Sequence, residues 1–262
     1  MCQFQDRPYL LHIYHRYLQH GDEQVFREEV RRCYDVSTLK RILEISYADD
    51  LKPAVMMAIR AIGDSHSVGS AMASLLHHDD PRVCEFAEEI LREGRYLDGT
   101  PEQQNLLRSL CLANKRGDYR VASEIVEKLH HDAPCIAETW YQQGLMFIGQ
   151  MATQYAPNVE IDPDIEDILN AKDSLNAEDD LDIEDDLDEQ DPWQSALICC
   201  RKAVSSNPYH FDAFVSIGMI CEGLMDWSGA EQAYKDALKL HPHCKKARQS
   251  LDSLPARQKR YC

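Results

Sequence analysis

Apolar residues recur along this chain at intervals of three and four, with no useful stretch of strict alternation. That spacing lines one face of a helix and predicts an all-α protein. Near the C-terminus, Phe214, Ile217, Gly218 and Cys221 share one helical face, and Ala230, Tyr234 and Ala237 form the facing stripe of a second helix. Gly218 and Ala230 are small enough to let two backbones approach. Pro242 ends the second helix, because proline lacks an N–H and its ring clashes with the turn before it. At the other end, Pro8–His20 and Asp22–Tyr34 predict a helical hairpin with Leu10, Ile13, Tyr14, Tyr17, Phe26 and Val30 inside. Further helices are predicted at 38–43 and 54–62, and again around Val68, Met72, Leu75 and Leu76.

The pattern repeats. Ala196 recurs as Ala230, Ala203 as Ala237 and Pro208 as Pro242, each after 34 residues. Upstream, Gly117-Asp118-Tyr119 is followed by Ala122 and Pro134, and Trp140 and Gly144 fall where the next unit would place them. A fixed period of this length signals stacked helix–turn–helix units. These residues resemble the tetratricopeptide repeat over roughly 102–254. The first copy is degenerate, with Leu106 and Leu110 for the aromatic and the glycine and Leu129 for an alanine. The second, from Ala137, is split, and the third, Phe211 to Cys244, is the best match, with a helix to about Leu254 capping the stack. Upstream, Leu76-His77-His78-Asp79-Asp80-Pro81-Arg82-Val83 with Ala87 resembles a HEAT-type repeat over roughly 36–94, with Asp80 as N-cap and Pro81 opening the helix. The two resemblances imply a right-handed α-solenoid: helical hairpin and HEAT-like repeats over 1–97, a tetratricopeptide-like domain over 98–254, and a basic C-terminal tail over 255–262.

In the second copy the expected alanine falls at Ala156, yet the match is Ala196, so an insertion of about 40 residues separates its two helices. Glu160 to Asp191 holds 16 acidic residues against one basic, Lys172, and carries −15 of the total charge of −17. Such a stretch buries too little apolar area to offset the entropy of ordering it, and 155–191 is expected to be a disordered acidic loop. The remaining chain is almost neutral and shows no basic face, so nucleic-acid binding is not expected. No apolar run approaches the roughly 18–20 residues that span a bilayer, and the N-terminus lacks a basic stretch followed by an apolar one. Neither a membrane nor a secretory route is expected, and the default location is the cytoplasm.

Chemistry-bearing residues are scattered. The 10 cysteines include no Cys-x-x-Cys spacing, and the vicinal pair Cys199-Cys200 points about 100° apart on a helix, so they read as small, reduced core residues. Histidines pair as His12/His15, His77-His78, His130-His131 and His241/His243, without the further ligands that a metal needs; His77 and His131 fall at helix C-terminal ends, where a cation meets the dipole favourably. The acidic stretch has no glycine, which a calcium loop of the EF-hand kind requires. No phosphate loop or hydrolase motif occurs. No cofactor and no catalytic residue are expected.

The resemblance to tetratricopeptide repeats implies instead a concave groove lined from the first helix of each unit. Carried over by position, its lining is Gln104, Leu107, Cys111, Asn114 and Lys115, then Glu138, Tyr141, Leu145 and Ile148, then Asp212, Val215, Met219 and Glu222. Leu107, Tyr141, Leu145, Val215 and Met219 are expected to form an exposed apolar track that takes a partner peptide or amphipathic helix, unless the terminal helix or the N-terminal half covers it. A clamp for a chaperone's C-terminal carboxylate is disfavoured, since Leu107, Cys111, Gln142, Asp212 and Ser216 offer no cation. The function expected is therefore a non-enzymatic scaffold or adaptor. Alternatives are a client binder like some secretion chaperones of this fold, or an enzyme subunit like the HEAT-type bilin lyases. The acidic insert is expected either to meet a basic partner or the basic C-terminal end (Lys235, Lys239, Lys245, Lys246, Arg248, Arg257, Lys259, Arg260), or to serve only as a spacer.

Overall fold

The computed structural model describes residues 6–45, 51–62, 65–155 and 191–261. The predicted acidic loop therefore lies outside the described residues, apart from its two ends. Every regular element described is helical, and neighbouring helices in sequence pack on one another. The chain divides into two units, Met1–Asp98 and Gly99–Cys262.

The first unit holds α1 (Asp6–His20), α2 (Glu23–Cys33), α3 (Val36–Ile45), α4 (Leu51–Ile62), α5 (Ser65–Ala73), a 3₁₀ turn (Ser74–His77) and α6 (Pro81–Gly94). Local chemistry sets their starts. The Asp22 carboxylate accepts the Val25 N–H at 3.0 Å, the Asp80 carboxylate accepts the Arg82 N–H at 2.9 Å, and Pro81 occupies the first turn of α6, where its missing donor matters least. Gly21, at φ +69, ends α1 in the left-handed region. Besides contacts between sequence neighbours, α1 and α2 both pack on α4, α3 on α5 and α4 on α6. This alternation buries Phe26 and Val30, Leu39, Val55 and Ile59, and Ala87 and Ile90.

The second unit holds α7 (Pro101–Lys115), α8 (Tyr119–Asp132), α9 (Ala137–Tyr155), α10 (Pro192–Ser206), α11 (Phe211–Gly223), α12 (Trp227–Leu240) and α13 (Lys245–Tyr261). Thr100 and Gln103 form a reciprocal capping box at the start of α7. Asp118, Asp191 and Asp226 each cap the second helix of a pair, accepting from the N–H of Val121, Trp193 and Gly229. Close approach needs glycine at two places. A Cβ at Gly144 would stand 2.9 Å from Cys200 Sγ and 3.2 Å from the Ala196 carbonyl, and one at Gly218 would run into the Tyr234 ring. Thus α9 and α10 pack face to face although 191 follows 155 only across the insertion. The basic C-terminal segment expected from 255 continues α13, which runs through Pro255 to Tyr261.

Candidate functional site

The predicted groove residues all lie in the second unit, on α7, α9 and α11, and the structure sorts them into two groups. Leu107, Ile148, Val215, Met219 and Glu222 are buried, Leu107 and Ile148 completely. Cys111, Asn114, Tyr141 and Leu145 are half-buried and keep some surface. The exposed apolar track is therefore shorter than expected, and the reason is packing. Ile148, Val215 and Met219 share one buried cluster with Trp193, Tyr234 and Leu254, against which Tyr141, Leu145 and Phe214 are packed. Side chains spaced to face a groove in isolated repeats are here shared between helices. Asp212 and Gln104 are also half-buried, Lys115 is exposed, and Glu138 is buried.

Beneath the half-exposed strip of α9 lies a buried polar network. The Asn114 side-chain amide on α7 donates to the Gln142 backbone carbonyl at 2.9 Å and to its Oε1 at 3.0 Å. Those contacts turn the Gln142 amide so that its Nε2 donates to Glu138 Oε1 at 2.8 Å. Glu138 Oε2 meets His210 Nε2 at 3.1 Å. His210 Nδ1 in turn accepts the Ala213 N–H at 3.1 Å, capping α11, which assigns the ring proton to Nε2 and directs it at the carboxylate. Every donor in the chain points toward Glu138. Both Glu138 and His210 are 1 % exposed, so leaving either unpaired would carry the full desolvation penalty. The Tyr141 ring lies 4.4 Å from the His210 ring, and its hydroxyl is 3.5 Å from Ser216 Oγ.

A second network ties Glu222 down. Its carboxylate accepts from the Tyr234 hydroxyl on α12 and, at 3.0 Å, from the Arg257 guanidinium on α13. Burial first, and then the neighbouring Glu222 charge, push the Tyr234 hydroxyl well above the ordinary tyrosine range. Glu222 thus docks the terminal helix instead of facing a groove. On the opposite side, the Lys202 ammonium sits 3.9 Å from the Trp140 ring centroid, joining α10 to α9 across the insertion.

Sequence reasoning missed His210 and Arg257. Histidine is not among the usual capping residues. The one available signal was the run of polar residues Glu138 and Gln142, four apart on a helix otherwise rich in apolar side chains. Among the described residues no group of three or more His, Cys, Asp or Glu side chains could hold a metal, and no helix is long and apolar enough to cross a membrane. In the first unit, a cleft of about 590 Å³ is lined by Met56, Glu85, Glu88, Glu89, Arg92 and Glu93. Two of its acids are paired, Glu88 with Arg92 and Glu89 with Lys52. No protein-family model matches this chain, and no curated protein matches it.

Proposed function

We propose that the chain is a non-enzymatic adaptor built as a right-handed α-solenoid, HEAT-like in its first unit and tetratricopeptide-like in its second. In this reading the second unit binds a peptide or amphipathic helix of another protein along the strip formed by Cys111, Tyr141 and Leu145. The observation that carries it is that strip itself: half-exposed apolar side chains held over a buried hydrogen-bond network that joins Asn114, Gln142, Glu138 and His210. Rigid presentation of an aromatic and an aliphatic anchor is what a peptide groove needs. The network also argues for scaffold over catalyst. Glu138 and His210 spend their polar atoms on each other, on Gln142 and on the cap of α11, an arrangement that favours positioning helices over moving protons. A cytoplasmic setting fits the free thiols, of which Cys84, Cys199, Cys200, Cys221 and Cys244 are buried, and the acidic insert is assigned to contact a basic partner or the basic C-terminal end.

The test is affinity capture with the full chain and quantitative mass spectrometry, comparing wild type with Cys111→Glu plus Leu145→Asp. Met219 is unsuited to such a test, since a charge at a 1 % exposed position would unfold the unit. The expected result is loss of a specific set of proteins from the double variant, with an unchanged circular-dichroism spectrum, and direct binding of one of them in purified form. Recovery of the same set by both baits overturns the reading.

A further inference from the structure

Three helices converge on one carboxylate near the C-terminal end of the second unit. Glu222 lies on α11 and is 7 % exposed; its oxygens are held by Tyr234 of α12 and by Arg257 of α13. Removing the arginine would leave a buried negative charge without its cation, which is far costlier than an exposed one. α13 itself changes character along its length. Ala247, Ser250 and Leu254 are buried, so the helix up to that point is packed into the unit. Pro255 follows inside the helix. Its ring nitrogen cannot donate to the carbonyl of Leu251 and its ring crowds that carbonyl, so the helix is weakened at this turn. Beyond it Ala256, Gln258 and Lys259 are exposed, whereas Arg257 is half-buried. The last turns of α13 are thus weakened in their own helix, and the Glu222–Arg257 pair, at 3.0 Å, ties them to the unit.

We propose that the end of α13, from Leu254 onward, is a displaceable latch over Glu222, and that the vacated place takes a partner's amphipathic helix carrying an arginine three residues after an aliphatic anchor. The occupant follows from what the latch leaves behind. Leu254 and Arg257 are three apart and therefore neighbours on one helical face. Releasing them opens an apolar site beside a buried carboxylate already oriented by Tyr234. Only a helix offering both features restores the burial and the charge pairing together. An acidic or purely apolar helix would leave Glu222 desolvated and unpaired. Because the latch repeats the chemistry of the partner, it also screens out helices that lack the arginine. What takes the place rests on the partner-binding reading above, whereas the latch itself does not.

The full-length chain tests both parts. In hydrogen exchange, amides of 256–261 in the wild type should exchange at least tenfold faster than those of 245–253. Glu222→Gln should speed only the former. In titration with a labelled peptide copying residues 245–261, the Arg257→Ala chain should bind at least tenfold more tightly than wild type, and the peptide carrying Arg257→Glu should not bind. Uniform protection along α13 of the wild type overturns the latch, whatever the variants do. Peptide binding indifferent to either arginine change overturns the occupant. Loss of captured partners by the Leu145 variant alongside uniform α13 protection would retain the groove and remove the latch.

Discussion

At the scale of single residues, the buried polar pair dominates. His210→Ala removes the cap of α11 and strips Glu138 Oε2 of its donor, at a position 1 % exposed. We expect a loss of about 3 kcal/mol, in the range for breaking a buried hydrogen-bonded charge, read as a lower urea midpoint at constant slope. A shift under a few tenths of that size would mean that solvent reaches the pair. Met225 is the opposite case. It sits at φ +57 after α11 and is 60 % exposed, so a left-handed conformation disfavoured for a side chain is held with little burial in return. The matching turn after α7 carries Gly117 at φ +69. Met225→Gly should stabilise by roughly 0.5–1 kcal/mol and Gly117→Ala should destabilise by about 1 kcal/mol, both by thermal melting. Equal melting temperatures for all three chains would contradict this account.

At the scale of elements, packing is controlled by small residues and by one proline. Gly144→Ala would press a methyl against Cys200 and the Ala196 carbonyl, driving α9 from α10. The expected penalty is about 1–3 kcal/mol with helical content retained, seen as a drop in melting temperature at unchanged ellipticity below the transition. Pro255→Ala should act the other way, restoring a main-chain donor inside α13 and stabilising by up to ~3 kcal/mol. If Pro255→Ala lowers the melting temperature, the backbone at that turn is not the weak point.

At the scale of the molecule, thiols and the insertion make the testable statements. Burial pushes Cys199 and Cys221 up from an ordinary 9.0 to about 11. In the fold they keep their protons where the unfolded chain has lost them. Their contribution is whole below about pH 9 and is lost as pH rises through about 11, so stability falls on the alkaline side. Urea midpoints measured across that window should decline, and less steeply in Cys199→Ala plus Cys221→Ala; identical slopes would exclude the thiols as the cause. Among the described residues, α9 and α10 pack directly on each other, with Gly144 against Ala196 and Cys200. Replacing residues 157–190 by a short Gly/Ser turn should keep the helical spectrum and a single cooperative melt. Collapse of the second unit on that change would show that the insertion contributes to the core.

The sequence by itself determined the elements. Spacing of three and four, capping aspartates and the glycines at close approaches are local properties, and they place helices to within a few residues. It also determined where the acidity lies and that α9 and α10 belong together across it, since the 34-residue period resumes after the insertion. What only the tertiary structure decided is which of the groove positions stay at the surface. Met219 and Leu145 carry the same positional label in the repeat pattern, yet one is buried against neighbouring helices and the other half-exposed. Burial depends on side chains arriving from elsewhere in the chain, such as Leu254 and Arg257, and no local period encodes that arrival. The pairing of Glu138 with His210, 72 residues apart, is of the same kind: neither segment names the other as partner, and the bond exists only because the fold brings them together.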